Sequence, residues 1–154
     1  MVQFYTDETQ FIGNTPPGRP GNAAYGGRER LYRATIRVDA PKLTSTTNGT
    51  VVTTVDTILL ARVPPGHRFI GGRLTASISM GTSTLAIGTA AATGKYRTAA
   101  TFTATDTPTY FGNAAAMAAA ESTADEDIIL TVGVASLPIT AGGLLVIDLE
   151  FTAP

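Results

Sequence analysis

The chain has 154 residues, enough for one domain with a two-layer core and too few for two ordinary domains. Charged residues make up only 15% of it, against about a quarter in typical soluble domains, so Thr, Ala, Gly and Ser must supply much of its surface. A net charge of −1 with no basic run argues against nucleic acid as a partner, and the absence of cysteine rules out disulfides and thiolate chemistry.

The first residues, Met1 to Glu8, have neither the basic start nor the apolar run of a signal peptide. No apolar stretch approaches the roughly 20 residues of a membrane helix. The expectation is a protein made in the cytoplasm and used without secretion or membrane contact. Residues 6–27 show no apolar periodicity, and residues 13–22 are dense in glycine and proline. Pro16, Pro17 and Pro20 remove backbone donors and fix φ, which keeps this piece out of a sheet interior. It reads as an extended arm dotted with Phe4, Tyr5, Phe11, Ile12 and Tyr25. One reading is a disordered terminus. The other, which the aromatic spacing favours, is an arm that orders when those anchors dock on a neighbour.

From Leu31 the pattern is strand: Tyr32, Ala34, Ile36 and Val38 share one face, with Arg33, Thr35 and Arg37 on the other. Asn48-Gly49 is a hairpin-type turn signal opening a strand run over residues 50–63. Pro64-Pro65-Gly66 closes that run, and residues 68–80 follow with Leu74, Ala76, Ile78 and Met80 alternating. A short turn at 81–83 leads into residues 84–88, where Leu85 and Ile87 face inward. Residues 96–105 are strand-like up to Pro108. Residues 113–121, rich in Ala with one Met, are the one helical candidate, but without a good amphipathic face they read as a single turn or as a loop on a strand connection. Residues 127–134 and 144–151 are the last strands; in the second, Leu145, Ile147, Leu149 and Phe151 oppose Asp148 and Glu150. Six to eight strands, with turn signals every eight to fifteen residues, predict an all-β, antiparallel β-sandwich of jelly-roll-like connectivity. The expected division is an extended N-terminal arm over 1–29 and the sandwich over 30–154.

Catalytic signatures are thin. His67, the single histidine, lies in Pro64-Pro65-Gly66-His67-Arg68 and reads as an exposed turn residue; a metal site or relay through it would need partners from distant strands. Residues 88–95 look superficially like a phosphate-binding loop. Five residues separate Gly88 from Gly94 instead of four, however, and Tyr96 stands where a Ser or Thr would meet magnesium. Asp125, Glu126 and Asp127, with Glu121 upstream, lack the spacing and glycine of a calcium loop and read as a solvated turn. Asp and Glu are scattered through the chain, which leaves paired carboxylates for glycoside cleavage open, but sugar-cleft aromatics are thin: tryptophan is absent and aromatics total 7%. Asn48-Gly49-Thr50 matches a glycosylation sequon but is better explained as turn chemistry. Arg28, Arg30, Arg33 and Arg37 gather where arm meets first strand, serving either as interface forks or as the charges of a solvent-facing edge. No catalytic, cofactor or metal residues are assigned.

One ordered set of features runs over residues 64–151. It begins with a Pro-Gly turn and an aliphatic-Gly-Gly strand start, Pro65-Gly66-His67-Arg68-Phe69-Ile70-Gly71-Gly72. The small-residue strand Ser83-Thr84-Leu85-Ala86-Ile87-Gly88-Thr89 and Gly94-Lys95-Tyr96 follow. An Ala/Thr segment, an acidic lead into Ile128-Ile129-Leu130-Thr131 and a Thr140-Ala141-Gly142-Gly143 turn complete it. In style and order this resembles small structural proteins of tailed bacteriophages, particularly capsid decoration (cement) proteins. The resemblance implies a β-sandwich without enzymatic activity standing on the major capsid protein lattice at the virion surface. It also implies a homotrimer with an arm reaching to neighbouring proteins. On composition, the partner-binding residues are placed at Phe4, Tyr5, Phe11, Ile12, Arg19, Tyr25, Arg28, Arg30 and Arg33, with no small-molecule substrate or cofactor. Other readings are a head-fibre or tail component, or a carbohydrate-binding module. The last predicts an aromatic platform from Tyr96, Phe102, Tyr110 and Phe111.

Overall fold

The computed structural model describes residues 2–5, 29–42, 47 and 49–152, with the backbone alone for Phe4 and Tyr5. Phe11, Ile12, Arg19, Tyr25 and Arg28 of the expected arm, and Asn48 of the expected turn, lie outside the described residues. The strands are β1 Gln3–Tyr5, β2 Glu29–Arg37, β3 Thr57–Val63, β4 Arg68–Ala76, β5 Thr84–Gly88, β6 Arg97–Thr101, β7 Thr109–Phe111, β8 Glu126–Gly133 and β9 Leu144–Thr152; the helix α1 is Ala114–Ala118.

The strands form two sheets, ordered β1-β3-β8-β5-β6 and β2-β9-β4-β7. From β2 to β9 the chain changes sheet at every connection except the β5–β6 hairpin, and every neighbouring pair among these strands is antiparallel. That is the jelly roll, an arrangement of two interlocked Greek keys. Strand β1 is an addition to it, lying parallel to β3 with Gln3 opposite Thr57 and Tyr5 opposite Leu59.

Period-two alternation puts Ala34 and Ile36, Leu74 and Ala76, and Leu145, Ile147 and Leu149 on the inner face of the four-stranded sheet. Ile58, Leu85, Ile87, Ile128, Leu130 and Val132 meet them from the other sheet, all essentially without solvent contact. Gly72 makes this packing possible on β4, because a Cβ there would sit 2.3 Å from the Phe111 ring of the neighbouring strand. Bulges between Leu59 and Ala61, Phe69 and Gly71, and Leu85 and Ile87 bend the strands around the core.

Local chemistry explains where elements stop short of the expectation. The run over 50–63 becomes strand only at Thr57. Before it, the Asp56 carboxylate accepts bonds from the Thr53 backbone N–H (3.0 Å) and hydroxyl (2.7 Å), which turns the chain out of the sheet. The Ala-rich stretch forms a single helical turn; the Asn113 side chain does not cap it but donates to the carbonyls of Gly94 and Lys95. Strands β1 and β7, three residues each, carry too little alternation to be read from sequence.

Candidate interaction surfaces

The two outer faces differ in chemistry. Across the middle of the four-stranded sheet, β2, β9, β4 and β7 place Arg33, Asp148, Arg73 and Tyr110 in one register row. The Arg33 fork donates to both Asp148 oxygens at 2.7 and 2.9 Å, and Arg73 adds a bond at 2.5 Å. Burial works against ionisation of Asp148, but the two guanidinium groups outweigh it and hold the carboxyl below its ordinary range. Arg73 is raised in turn, chiefly by its bond to Asp148. Arg33 is therefore engaged within the chain while its side chain stays half exposed. Arg30 stands on the same strand opposite Phe151.

On the five-stranded sheet, Leu59 of β3 pairs with Ile129 of β8, and Ala86 of β5 lies beside them on the outer face. All three are buried, yet they stand apart from the central cluster. Next to them a groove of about 680 Å³ is lined by Gln3, Val55, Asp56, Thr57, Ile129 and Thr131, among others. A more polar groove of about 600 Å³ adjoins it, with Arg62, Lys95, Glu126 and Asp127 on its walls. Arg62 makes a forked pair with Asp127 at 2.6 and 2.8 Å. Glu126 accepts from Lys95 (2.7 Å) and from the Tyr96 hydroxyl (2.6 Å). Burial, and then that carboxylate, push the Tyr96 phenol well above its ordinary range.

The connections cluster at the two ends of the sandwich. At one end the β3–β4 turn, the β5–β6 loop and α1 are tied by bonds such as Gly66 N–H to Ser122 O (2.7 Å), Ser122 N–H to His67 O (2.9 Å) and Asn113 N–H to Tyr96 O (3.0 Å). At the other, the β8–β9 loop leaves Val134 and Ile139 largely exposed, and Val134 holds φ at +66°, a strained conformation for a β-branched residue.

Two expectations are overturned here. His67 is buried, not exposed: the segment leading into β8 folds over it, and its Nδ1 lies 3.0 Å from the Pro64 carbonyl, which requires Nδ1 to carry the proton. Its Nε2 then has no hydrogen-bond partner among the described residues. The aromatic platform fails as well. Tyr96 and Phe102 are core residues, and Phe69 packs against Tyr96 and Phe151 with ring centroids 4.5 and 5.4 Å apart, leaving Tyr110 as the exposed member of the four. Apolar burial of flat rings outweighs their use on a surface here. Among the described residues no group of three or more His, Cys, Asp or Glu is placed to hold a metal ion, and no helix is long and apolar enough to cross a membrane.

No model of a known protein family and no curated protein matches the chain. Solved structures do. A chain of the cyanophage Pam1 capsid asymmetric unit superposes with a TM-score of 0.63 at 16% identity, over 92% of this chain and 97% of that one. A chain of the Ralstonia phage GP4 capsid gives 0.63 at 15% identity over 99% of both. A chain of the acid-stable capsid of Helicobacter pylori bacteriophage KHP30 gives 0.54 at 11% identity, over 85% and 91%. These superpositions show that the chain shares its fold with the three capsid chains.

Proposed function

We propose that the chain is a structural protein of a bacteriophage virion, a decoration (cement) protein that binds and reinforces the major capsid protein lattice. The observation that carries this reading is the extent of the likeness. Chains from three phage capsids share the fold over nearly their whole length, so each is a counterpart of this chain rather than a larger protein containing such a domain. The low charge of the surface supports it, because contact areas poor in charge cost little to desolvate. In this reading the role is structural rather than catalytic. The arm over residues 1–29 and strand β2, with Phe4, Tyr5, Phe11, Ile12, Arg19, Tyr25, Arg28, Arg30 and Arg33, meet neighbouring subunits. Many weak contacts then act together, each becoming effectively intramolecular once its neighbours hold.

The test is sedimentation of the purified protein with candidate virion shells, alongside its size in solution by light scattering. A discrete trimer that co-sediments at a saturating stoichiometry is the expected result. A monomer that stays in the supernatant at every ratio overturns the reading.

A further inference from the structure

One side of the sandwich carries almost no charge. Residues 98–120 run through β6, the β6–β7 connection, β7 and α1 with Asp106 as their one charged side chain. Nearly all of this stretch faces solvent, with Phe102 and Ala116 as its buried members. Solvent-facing surface is where charged residues normally concentrate, so burial does not account for the lack. The stretch forms one continuous strip. Strands β6 and β7 are the outermost strands of the two sheets, and the Asn113 amide, just past β7, donates to the Thr98 hydroxyl of β6 at 3.3 Å. Arg97, at the border of the strip, is turned back onto the carbonyls of Leu85, Ala100 and Thr101. Tyr110 is 76% and Met117 41% exposed, two residue types enriched where proteins meet.

The opposite side differs. There β2 faces β3, and Glu29, Arg33, Arg37 and Arg62 are exposed. The outer strands of a sheet are commonly guarded by such charges, which keep other chains away. Beyond the inturned Arg97, β6 and β7 carry no such guard. The irregular register of β6 around Ala86, and the Arg97 bonds to its carbonyls, discourage a further strand. What the strip offers is therefore a layer of small side chains rather than an open ladder.

Charge decides the partner. Contact between this strip and the β2–β3 side would strip arginines and a glutamate of water without pairing them. Contact with its own copies strips almost none. Symmetry supplies a second reason. Around a closed rotation axis the residues nearest the axis meet their own copies, so a charge there meets its like, and such juxtaposition is strongly unfavourable. A neutral strip is what an axis requires. We infer that copies of this chain associate through the β6–β7 edge, with Thr98, Ala99, Thr101, Thr109 and Tyr110 packed around the symmetry axis. The inference takes from the reading above only that copies associate.

The test uses purified protein, with circular dichroism first showing that each variant is folded. Ala99→Lys and Thr109→Lys alter exposed positions of the strip. Each is expected to weaken self-association at least tenfold, read by light scattering over a concentration series as a fall toward the monomer mass. Thr123→Lys, equally exposed but set between Glu121 and Asp125, keeps the wild-type mass. The chain has no cysteine, so Ala99→Cys carries a unique thiol. A short thiol-to-thiol cross-linker should join it to its own copy, in up to about two-thirds of chains around a threefold axis, while Thr123→Cys stays unlinked. A wild-type protein that is monomeric at every concentration overturns the inference. So do lysine variants that keep the wild-type mass, or linking at Thr123→Cys equal to that at Ala99→Cys. Co-sedimentation with shells is scored separately: a protein that associates through this edge but ignores shells overturns the cement reading and leaves this inference standing.

Discussion

The outer faces of the two sheets bury side chains by opposite means. On the four-stranded sheet the buried group is an aspartate, Asp148, held by three directional bonds from Arg33 and Arg73 on the strands to either side. On the five-stranded sheet it is a set of aliphatic groups, Leu59, Ile129 and Ala86, held by contact area. A charge network fails abruptly when one member is removed, because the others are left unpaired, whereas an apolar patch loses stability in proportion to the area removed. Variants on the two faces should therefore differ in the form of their response as well as its size.

The largest effect is expected from Asp148→Ala, which leaves two arginines facing each other beside an empty site and should cost about 3 kcal/mol in denaturant unfolding. An unchanged midpoint would place the row among ordinary surface pairs. Two buried carboxylates, one on this face and one ahead of β3, set an acid response. Because the Asp148 and Asp56 carboxyls are held below their ordinary range, their stabilisation is complete above the unfolded-state value, about 4, and is lost as pH falls through the lower folded values. Asp148→Asn should flatten that acid loss, and an acid-unfolding curve of wild-type steepness would contradict the assignment.

Leu59→Ala comes next, at about 2 kcal/mol, the response of a core residue rather than a surface one. A change of a few tenths would show that the outer face of this sheet is not a packed layer. Away from both faces, Val134→Gly relieves a left-handed β-branched residue and is expected to raise stability by about 1 kcal/mol in thermal or denaturant melts. The smallest effect is reserved for Arg62→Ala. Its forked bond to Asp127 is as short as those in the buried row, but both partners are nearly half exposed, and its removal should cost about 0.5 kcal/mol or less. If Arg62→Ala matched Asp148→Ala, geometry rather than burial would be governing these pairs.

The sandwich was readable because alternation is local. Tyr32 to Val38, Leu85 with Ile87, and Leu145 to Phe151 each declare an inner face within a few residues, and the structure buries those faces as expected. What was not readable depends on who stands opposite. Asp148 reads as a solvent-facing residue of the last strand until β2 and β4 are known to flank it, since its partners lie 115 and 75 residues away. His67 looks like the tip of a turn until residues near Ser122 fold over it. Asp56 carries no signal beyond its place after a threonine-rich run, and its role emerges only with the N-terminus laid against β3. Of the residues assigned to partner contact, Arg33 shows a function that the sequence did not announce, as half of a fork within its own sheet.

The bond between Tyr96 and Glu126 gives the molecule a built-in optical reporter. The chain has five tyrosines and no tryptophan, so its intrinsic fluorescence is tyrosine emission. A phenol that stays protonated while hydrogen-bonded to a carboxylate is a weak emitter, because the excited state is quenched through that bond. Tyr96 is thus expected to be quenched in the folded sandwich and to brighten when Glu126 is pulled away, which tyrosine emission through an unfolding titration checks. Loosening of the end of the sandwich that holds α1 can therefore be followed without a label.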